Sequence, residues 1–483
     1  MIIFLKRKFL VVFILICVCL FFIGCSLKKN KKPNIIFIMA DDLGYGDLSC
    51  YGQKEFATPN IDNLAKNGIL FTNHYSGSTV SAPSRAVLLT GLHSGHSPVR
   101  DNKEYKPEGQ FPMKAEAITI AEVLKDAGYV TAAFGKWGLG FVGTEGDPNN
   151  QGFDEFFGYN CQRYAHRYYP EYIWNNSEKY FLPGNDWTNT QSFAPDIIHE
   201  KALDYIEKNK ANTFFMYYPS NIPHAELLVP DDEIFEQFNG QFEEKPYKAG
   251  NRAAASYGPD VSISEYCPQD YPKATFAAMI SRLDKQVGEI VAKTKELGIY
   301  KNTIFFFTSD NGPHGEGGIH PDDFNSNGIL RGMKRDLYEG GIRVPMIVSW
   351  PDKINKEEVS DHISAFWDIL PTLAEIAKTD VPVDIDGLSF LPTLFNKGKQ
   401  KIHDNLYWEF HSYGGRQAVR KGKWKAVKYN CFNPSKTTIE LFDLDQDPSE
   451  EIDLAVKYPD ILAEMEAIMQ KEHSFDPEFP FGK

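Results

Sequence analysis

The chain has no excess of basic residues: 51 Lys and Arg stand against 65 Asp and Glu in 483 residues, a formal net charge of −14. Wrapping a phosphate backbone needs basic surface, so nucleic acid is excluded as the main partner, whereas a small anion in a locally positive pocket is not. Cysteine is scarce too, with seven residues. Cys17 and Cys19 lie in an apolar N-terminal run and Cys25 closes it. Cys50, Cys161, Cys267 and Cys431 remain and form no C-x-x-C pair, which argues against a zinc knuckle and against a disulfide framework. The sequence also lacks internal repeats and low-complexity blocks. What is present, 42% hydrophobic and 24% charged residues, is the balance of a soluble globular enzyme with a sizeable core.

At the N-terminus Lys6, Arg7 and Lys8 precede the apolar run 9–23, which ends at Gly24-Cys25. The pattern is that of a secretory signal and resembles a bacterial lipoprotein signal, with Cys25 as the lipidated mature N-terminus. The run is shorter than the roughly 20 residues of a spanning helix. The expected organisation is a signal over 1–25, a lysine-rich tether over 26–33, an α/β catalytic domain over 34–380 and an antiparallel α+β subdomain over 381–483. Export to the cell envelope follows, with membrane contact through the N-terminal lipid only.

From Asn34 the pattern alternates. Asn34-Ile-Ile-Phe-Ile-Met-Ala40 is an unbroken apolar run, the mark of a strand buried on both faces of a parallel sheet. A helix is expected next, with Thr58 as cap, Pro59 in its first turn and Gly68 at its end. The alternation returns as a helix over 119–127 and a strand over 129–134, then a helix over 195–208 and a strand over 213–218. A long helix over 271–297 precedes a buried strand over 302–308, and a last helix covers 365–378. This predicts an α/β domain on a large, mainly parallel sheet. After Val381-Pro382 the strand-like runs 405–410, 417–429 and 438–444 follow without a helix, and one over 459–473 comes last, as in an antiparallel α+β unit. The stretches 149–190 and 230–268, rich in aromatic, Gly, Pro and polar residues, read as insertions lining a substrate cleft.

Asp41-Asp42 directly follows the first buried strand, at the carboxyl edge where open α/β sheets bind ligands. Asp310-Asn311 follows the strand over 302–308 in the same way. Together they form a hard, all-oxygen donor set, which suits Ca²⁺ or Mg²⁺ better than Zn²⁺. Between them lies Ser81-Ala82-Pro83-Ser84-Arg85. Pro83 and the apolar run behind it predict a helix starting here, so Ser81 meets backbone N–H groups and a macrodipole that favour an anion.

Ser81-x-Pro83-Ser84-Arg85 with Thr90-Gly91 resembles the signature of the sulfatase family: Cys or Ser, any residue, Pro, Ser, Arg, a short spacer and Thr-Gly. The resemblance runs from Asn34 to the final helix and implies an alkaline-phosphatase-like fold and a sulfuric ester hydrolase. It implies oxidation of Ser81 to formylglycine (3-oxoalanine) by a cytosolic radical sulfatase-maturing enzyme before export. One hydroxyl of the hydrated aldehyde would attack sulfur and displace the alcohol; the other would then expel sulfate. Asp41, Asp42, Ser81, Asp310 and Asn311 would be ligands to calcium, with magnesium the less expected ion. Arg85 would hold the diol, Lys136 would contact diol and sulfate, and Lys334 the sulfate. His224 would hydrogen-bond the sulfate or protonate the leaving oxygen.

One position departs from the family pattern. Most members have His two residues after the first lysine, where this chain has Gly138, and His166 or His314 is expected to take over its part in sulfate release. Further cleft residues are expected in Cys161–His166 (Arg163, His166), Asp310–Glu316 (His314) and Trp408–His411 (His411), because polar groups beside aromatics suit a sugar. These stretches are similar to those of bacterial sulfatases acting on sulfated galactose or N-acetylgalactosamine, which implies a sulfated carbohydrate substrate. Two rival readings are a phosphodiesterase or phosphomonoesterase of the same superfamily, and a glycan-binding surface lipoprotein with Ser81 unoxidised. Asp310-Asn311 in place of Asp-His disfavours the first.

Overall fold

The computed structural model describes residues 32–105, 109–186, 189–248 and 266–481. The signal, most of the tether and part of the 230–268 stretch lie outside them. Strand β1 (Asn34–Ala40) is buried along its whole length, with Ile35, Phe37 and Met39 in one core and Ile36, Ile38 and Ala40 in the other. Two-sided burial is the physical reason for its unbroken apolar run, and each large side chain so buried contributes about 1.5–3 kcal/mol.

Along the chain follow α1 (Pro59–Lys66), β2 (Ile69–Phe71), α2 (Ser81–Thr90), α3 (Ile120–Asp126), β3 (Val130–Lys136), β4 (Glu155–Tyr159), β5 (Tyr172–Asn175) and β6 (Glu178–Phe181). Then come α4 (Ala194–Lys208), β7 (Phe214–Pro219), α5 (Pro272–Glu296), β8 (Thr303–Ser309), β9 (Met346–Ser349), β10 (Glu358–Ser360) and α6 (Ile369–Ala377). The ten-stranded sheet has the order β10-β2-β9-β8-β1-β7-β3-β4-β5-β6. From β8 to β4 neighbours are parallel, while β9, β5 and β6 pair antiparallel towards the flanks. Helices α1, α4 and α5 pack on one face and α2, α3 and α6 on the other. The register of β1 and β8 pairs Ala40 with Ser309, so Asp41 and Asp310 leave the sheet side by side.

Four details differ from the expectations. Thr58 does not cap α1: its hydroxyl donates to Asp62, and the buried Asp284 of α5 accepts from Asn60 N at 3.0 Å and Ile61 N at 2.8 Å instead. A carboxylate from a packed neighbour outcompetes the local hydroxyl for the free N–H groups. Gly68 is required by close approach rather than by a left-handed cap, since a Cβ there would meet Val348 O at 2.1 Å. The stretch 149–190 is not one cleft insertion, because β4, β5 and β6 extend the main sheet with it. The run 417–429 is two strands, turned at Gly422 with φ +58°.

A separate four-stranded antiparallel sheet holds β11 (Leu406–Phe410), β12 (Arg416–Lys421), β13 (Trp424–Tyr429) and β14 (Thr438–Asp443), with α7 (Pro459–Glu472) against it. Leu406, Trp408 and Phe410 join the main core, while Tyr407 faces Met465 and Met469 of α7. A buried Lys425 ties this sheet to the rest, 2.8 Å from Glu339 and 3.0 Å from Glu450. Burial raises the pKa of Glu450; Lys425 opposes the shift and Glu339 adds to it. Its folded pKa is above the unfolded one, so this stabilisation is full below the ordinary glutamate range and is lost as pH rises towards neutral. Glu450→Gln should therefore leave the melting temperature unchanged near pH 4.5 and raise it at pH 8, by about 2 °C or more in a thermal melt.

Candidate active site

The carboxyl ends of β8, β1 and β3 meet around the start of α2, where Ser81 stands. This residue opens α2 behind the extended Val80 and is 1% exposed. Its hydroxyl donates to Asp41 Oδ1 at 3.0 Å and stands 3.4 Å from Lys136 Nζ. Lys136 donates to the other oxygen of Asp41 at 2.6 Å. Asp42 adopts φ +64° and donates its N–H to Asp310 Oδ1 at 3.0 Å. Its own carboxylate takes Lys334 Nζ at 2.7 Å and Asn311 Nδ2 at 2.7 Å. Arg85 closes the ring, 2.8 Å from Asp310 and 3.7 Å from Asp41.

Three buried carboxylates thus meet three buried cations, and this pairing makes so many charges tolerable in an interior. The shifts follow the surroundings. Burial raises the pKa of Asp310, helped by Asp41, and burial lowers that of Lys136. Burial also works against the charge of Lys334, but Asp42 and Glu316 outweigh it and leave its pKa above the ordinary value.

The donor set fits a hard divalent cation. Asn311 turns its Nδ2 to Asp42, and its buried Oδ1 has no hydrogen-bond partner among the described residues. Asp41, Asp42, Asp310 and Ser81 present further oxygens within the same hydrogen-bonded cluster. The neighbouring nitrogen, His224 Nε2, is 3.3 Å from Asp42 and accepts from Lys334 Nζ at 2.9 Å. His224 donates Nδ1–H to Ala225 O, so its Nε2 carries the lone pair. Burial, with Lys334 second, holds its pKa well below the ordinary value and keeps the ring neutral.

The other expected residues divide. His166 is brought in, stacked on His224 with centroids 4.3 Å apart and planes at 16°. His314 lies 5.8 Å from the His224 ring, but Nε2 donates to Pro223 O and Nδ1 accepts from Glu316 N, which leaves no lone pair for a catalytic proton. Arg163 lies 3.5 Å from the exposed Glu104. His411 bonds Glu409 through Nε2 at 2.9 Å and packs its ring on Phe481, while the adjacent Ser412 donates to Asp101, next to the Asn102 that accepts from Ala82 N. One residue of the expected stretch around it is closed to a sugar. Trp408 is fully buried against Tyr75 and Trp367, because β11 is covered on both faces.

Sequence reasoning missed Asn160 and did not single out Gln162 or Glu316. Asn160 directly follows β4, so the edge rule that picked out Asp41 applied to it as well. Glu316 pairs with Arg335 and lies 3.7 Å from Lys334, and only folding brings these together. A second histidine–carboxylate cluster, His93, His96 and Asp386, is a hydrogen-bonded staple. Its imidazoles stack at 4.2 Å and 26°, so their lone pairs run nearly side by side instead of converging on one ion.

Such an edge of a mainly parallel sheet, with a serine hydroxyl among paired carboxylates and cations, defines a hydrolase of anionic esters with an alkaline-phosphatase-like fold. The chain belongs to the sulfatase family, whose model matches residues 33–379, and it therefore hydrolyses sulfate esters. A second model, N-sulphoglucosamine sulphohydrolase, C-terminal, matches residues 332–474. The chain is 30% identical to arylsulfatase A of Homo sapiens, across 95% of this chain and 91% of that one. It is also 30% identical to the N-acetylgalactosamine-6-O-sulfatase of Bacteroides thetaiotaomicron, across 92% and 96%. Among solved structures, Ps i-CgsB in complex with k-i-k-neocarrahexaose is similar at a TM-score of 0.73 and 28% identity, covering 92% of this chain and 94% of that one.

Proposed function

We propose that this sulfatase removes O-sulfate from the end of a sulfated glycan, with galactose or N-acetylgalactosamine sulfate as the favoured unit. The observation that carries the reading is the set of pairs Lys136–Asp41, Lys334–Asp42 and Arg85–Asp310 around the Ser81 hydroxyl. The sugar named for the Bacteroides relative and the oligosaccharide bound to Ps i-CgsB support a glycan substrate. The export-like N-terminus over 1–25 supports a cell-envelope lipoprotein anchored through Cys25.

Calcium would be held by Asp41, Asp42, Asp310, Asn311 and Ser81, and its charge would take over those carboxylates. Oxidised to formylglycine by a cytosolic radical maturing enzyme, Ser81 would supply a hydrated aldehyde, a nucleophile with its own route to release sulfate. The other residues bind and orient. Lys136 and Lys334 turn from their carboxylates to the sulfate oxygens, where transition-state charge concentrates. Arg85, held by Asp310 and the Lys136 carbonyl, fixes the spacing between metal site and nucleophile. Neutral His224 accepts from Lys334 and aims that ammonium into the pocket.

A panel of 3-, 4- and 6-sulfated galactose and N-acetylgalactosamine, with a phosphomonoester and a phosphodiester beside them, tests the reading. Inorganic sulfate should be released from at least one sugar, with kcat/KM about a hundredfold or more above either phosphate ester. Turnover confined to the phosphate esters would refute it.

A further inference from the structure

The turn 411–415 joins β11 to β12 in the separate antiparallel sheet, yet it is tied to both sides of Ser81. On one side Ser412 Oγ donates to Asp101 at 2.6 Å, Asp101 accepts from Asn102 N at 2.8 Å, and Asn102 Oδ1 accepts from Ala82 N at 2.9 Å. On the other side Arg416, the first residue of β12, donates to Arg335 O, and Arg335 N donates to Thr79 O at 3.0 Å. Thr79 and Ala82 flank Ser81, so these contacts close a ring through the start of α2. Arg335 also follows Lys334 and shares Glu316 with it, which brings the arm carrying Lys334 into the same ring.

Tyr413 stands in the middle of this turn. Its φ is +54°, a left-handed backbone that Gly or Asn would adopt at less cost, and it is 61% exposed. Phe410 lies behind the ring with centroids 6.1 Å apart, and the Arg416 guanidinium is 5.5 Å from the ring centre. An aromatic kept at a strained position with most of its surface open points to function rather than to core packing.

Charge decides what such a surface takes. Arg335 is engaged by Glu316 and Arg416 by Asp336, and Asp101 adds a further carboxylate, so the turn offers no excess positive charge to a second anion. An open ring beside hydrogen-bond acceptors suits the apolar face and the hydroxyls of an uncharged sugar.

We infer that Tyr413 is a specificity-determining residue, the platform on which the uncharged unit next to the sulfated sugar stacks. The inference rests on the proposed glycan substrate, whose sulfated end would occupy the pocket at Ser81 while the following unit lies on the turn.

The test uses the matured full chain and two substrates that carry the same sulfated sugar, once alone and once at the non-reducing end of a disaccharide with an uncharged unit. Wild type should show kcat/KM about tenfold or more higher on the disaccharide. Tyr413→Asn suits the left-handed backbone, so the fold should hold in a thermal melt while that preference falls below about twofold, mainly through KM. Tyr413→Trp keeps an aromatic face and should retain the preference within about threefold. An equal loss on both substrates in Tyr413→Asn, a preference that survives it, or one lost to the same extent in Tyr413→Trp would overturn the inference. A wild type that cleaves both substrates equally well overturns this inference alone; one that cleaves neither overturns the glycan reading, and this inference with it.

Discussion

Ser81→Ala is expected to lower sulfate release by about ten-thousandfold or more while leaving the fold intact. The hydroxyl at position 81 makes contacts to Asp41 and Lys136, which remain paired to each other at 2.6 Å without it. Little packing is lost at the first turn of α2, so a thermal melt should move by only about 2 °C. The same comparison separates nucleophile from precursor. Wild-type chain made without a formylglycine-generating enzyme should behave like Ser81→Ala, and chain made with it should turn over. Peptide mass spectrometry should show a loss of about two mass units at Ser81 in the active preparation only, the two hydrogens removed when a hydroxymethyl becomes an aldehyde. Full activity in chain whose Ser81 peptide has the unmodified mass would discard the formylglycine reading and leave serine itself as nucleophile.

Chelation should abolish turnover without unfolding the protein. The carboxylates of Asp41, Asp42 and Asp310 are balanced by Lys136, Lys334 and Arg85, so the protein groups of the site are neutral in sum. A divalent cation held there would add two positive charges and would free both lysines to face a monoanionic sulfate ester. Without it the lysines stay on Asp41 and Asp42, and activity should fall about a thousandfold or more. Calcium should restore activity, with magnesium less effective because its smaller octahedral shell suits this mixed donor set less well. Asp310→Asn should reproduce the loss and resist rescue by calcium, because it removes one ligand charge and the partner of Arg85. Undiminished turnover in excess chelator, with metal analysis confirming removal, would rule out the metal assignment.

Much of this site could be read along the chain because its parts sit at strand ends. Asp41 follows β1 and Asp310 follows β8, and an unbroken apolar run announces each strand. Ser81 was marked by Pro83 and the helix it starts. The histidines were harder. His166, His314 and His411 look alike in sequence, each beside aromatics or glycine, yet one stacks on His224, one has both nitrogens engaged and one packs on Phe481. Nothing local separates them, since the deciding partners are 58, 91 and 70 positions away. Trp408 in the C-terminal aromatic stretch shows a related ambiguity: polar–aromatic composition is shared by sugar clefts and by strands pinned between two cores.

The alternating architecture, the carboxylate-rich strand ends and the serine with its signature follow from periodicity or from a short motif within a few residues, so each is legible along the chain. How these charges pair, which histidine joins them and what stands beside Gly138 are settled by folding alone. Those outcomes depend on strand register and on side chains from distant segments competing for the same few ångströms, as Gln162 does for the volume that Gly138 leaves open.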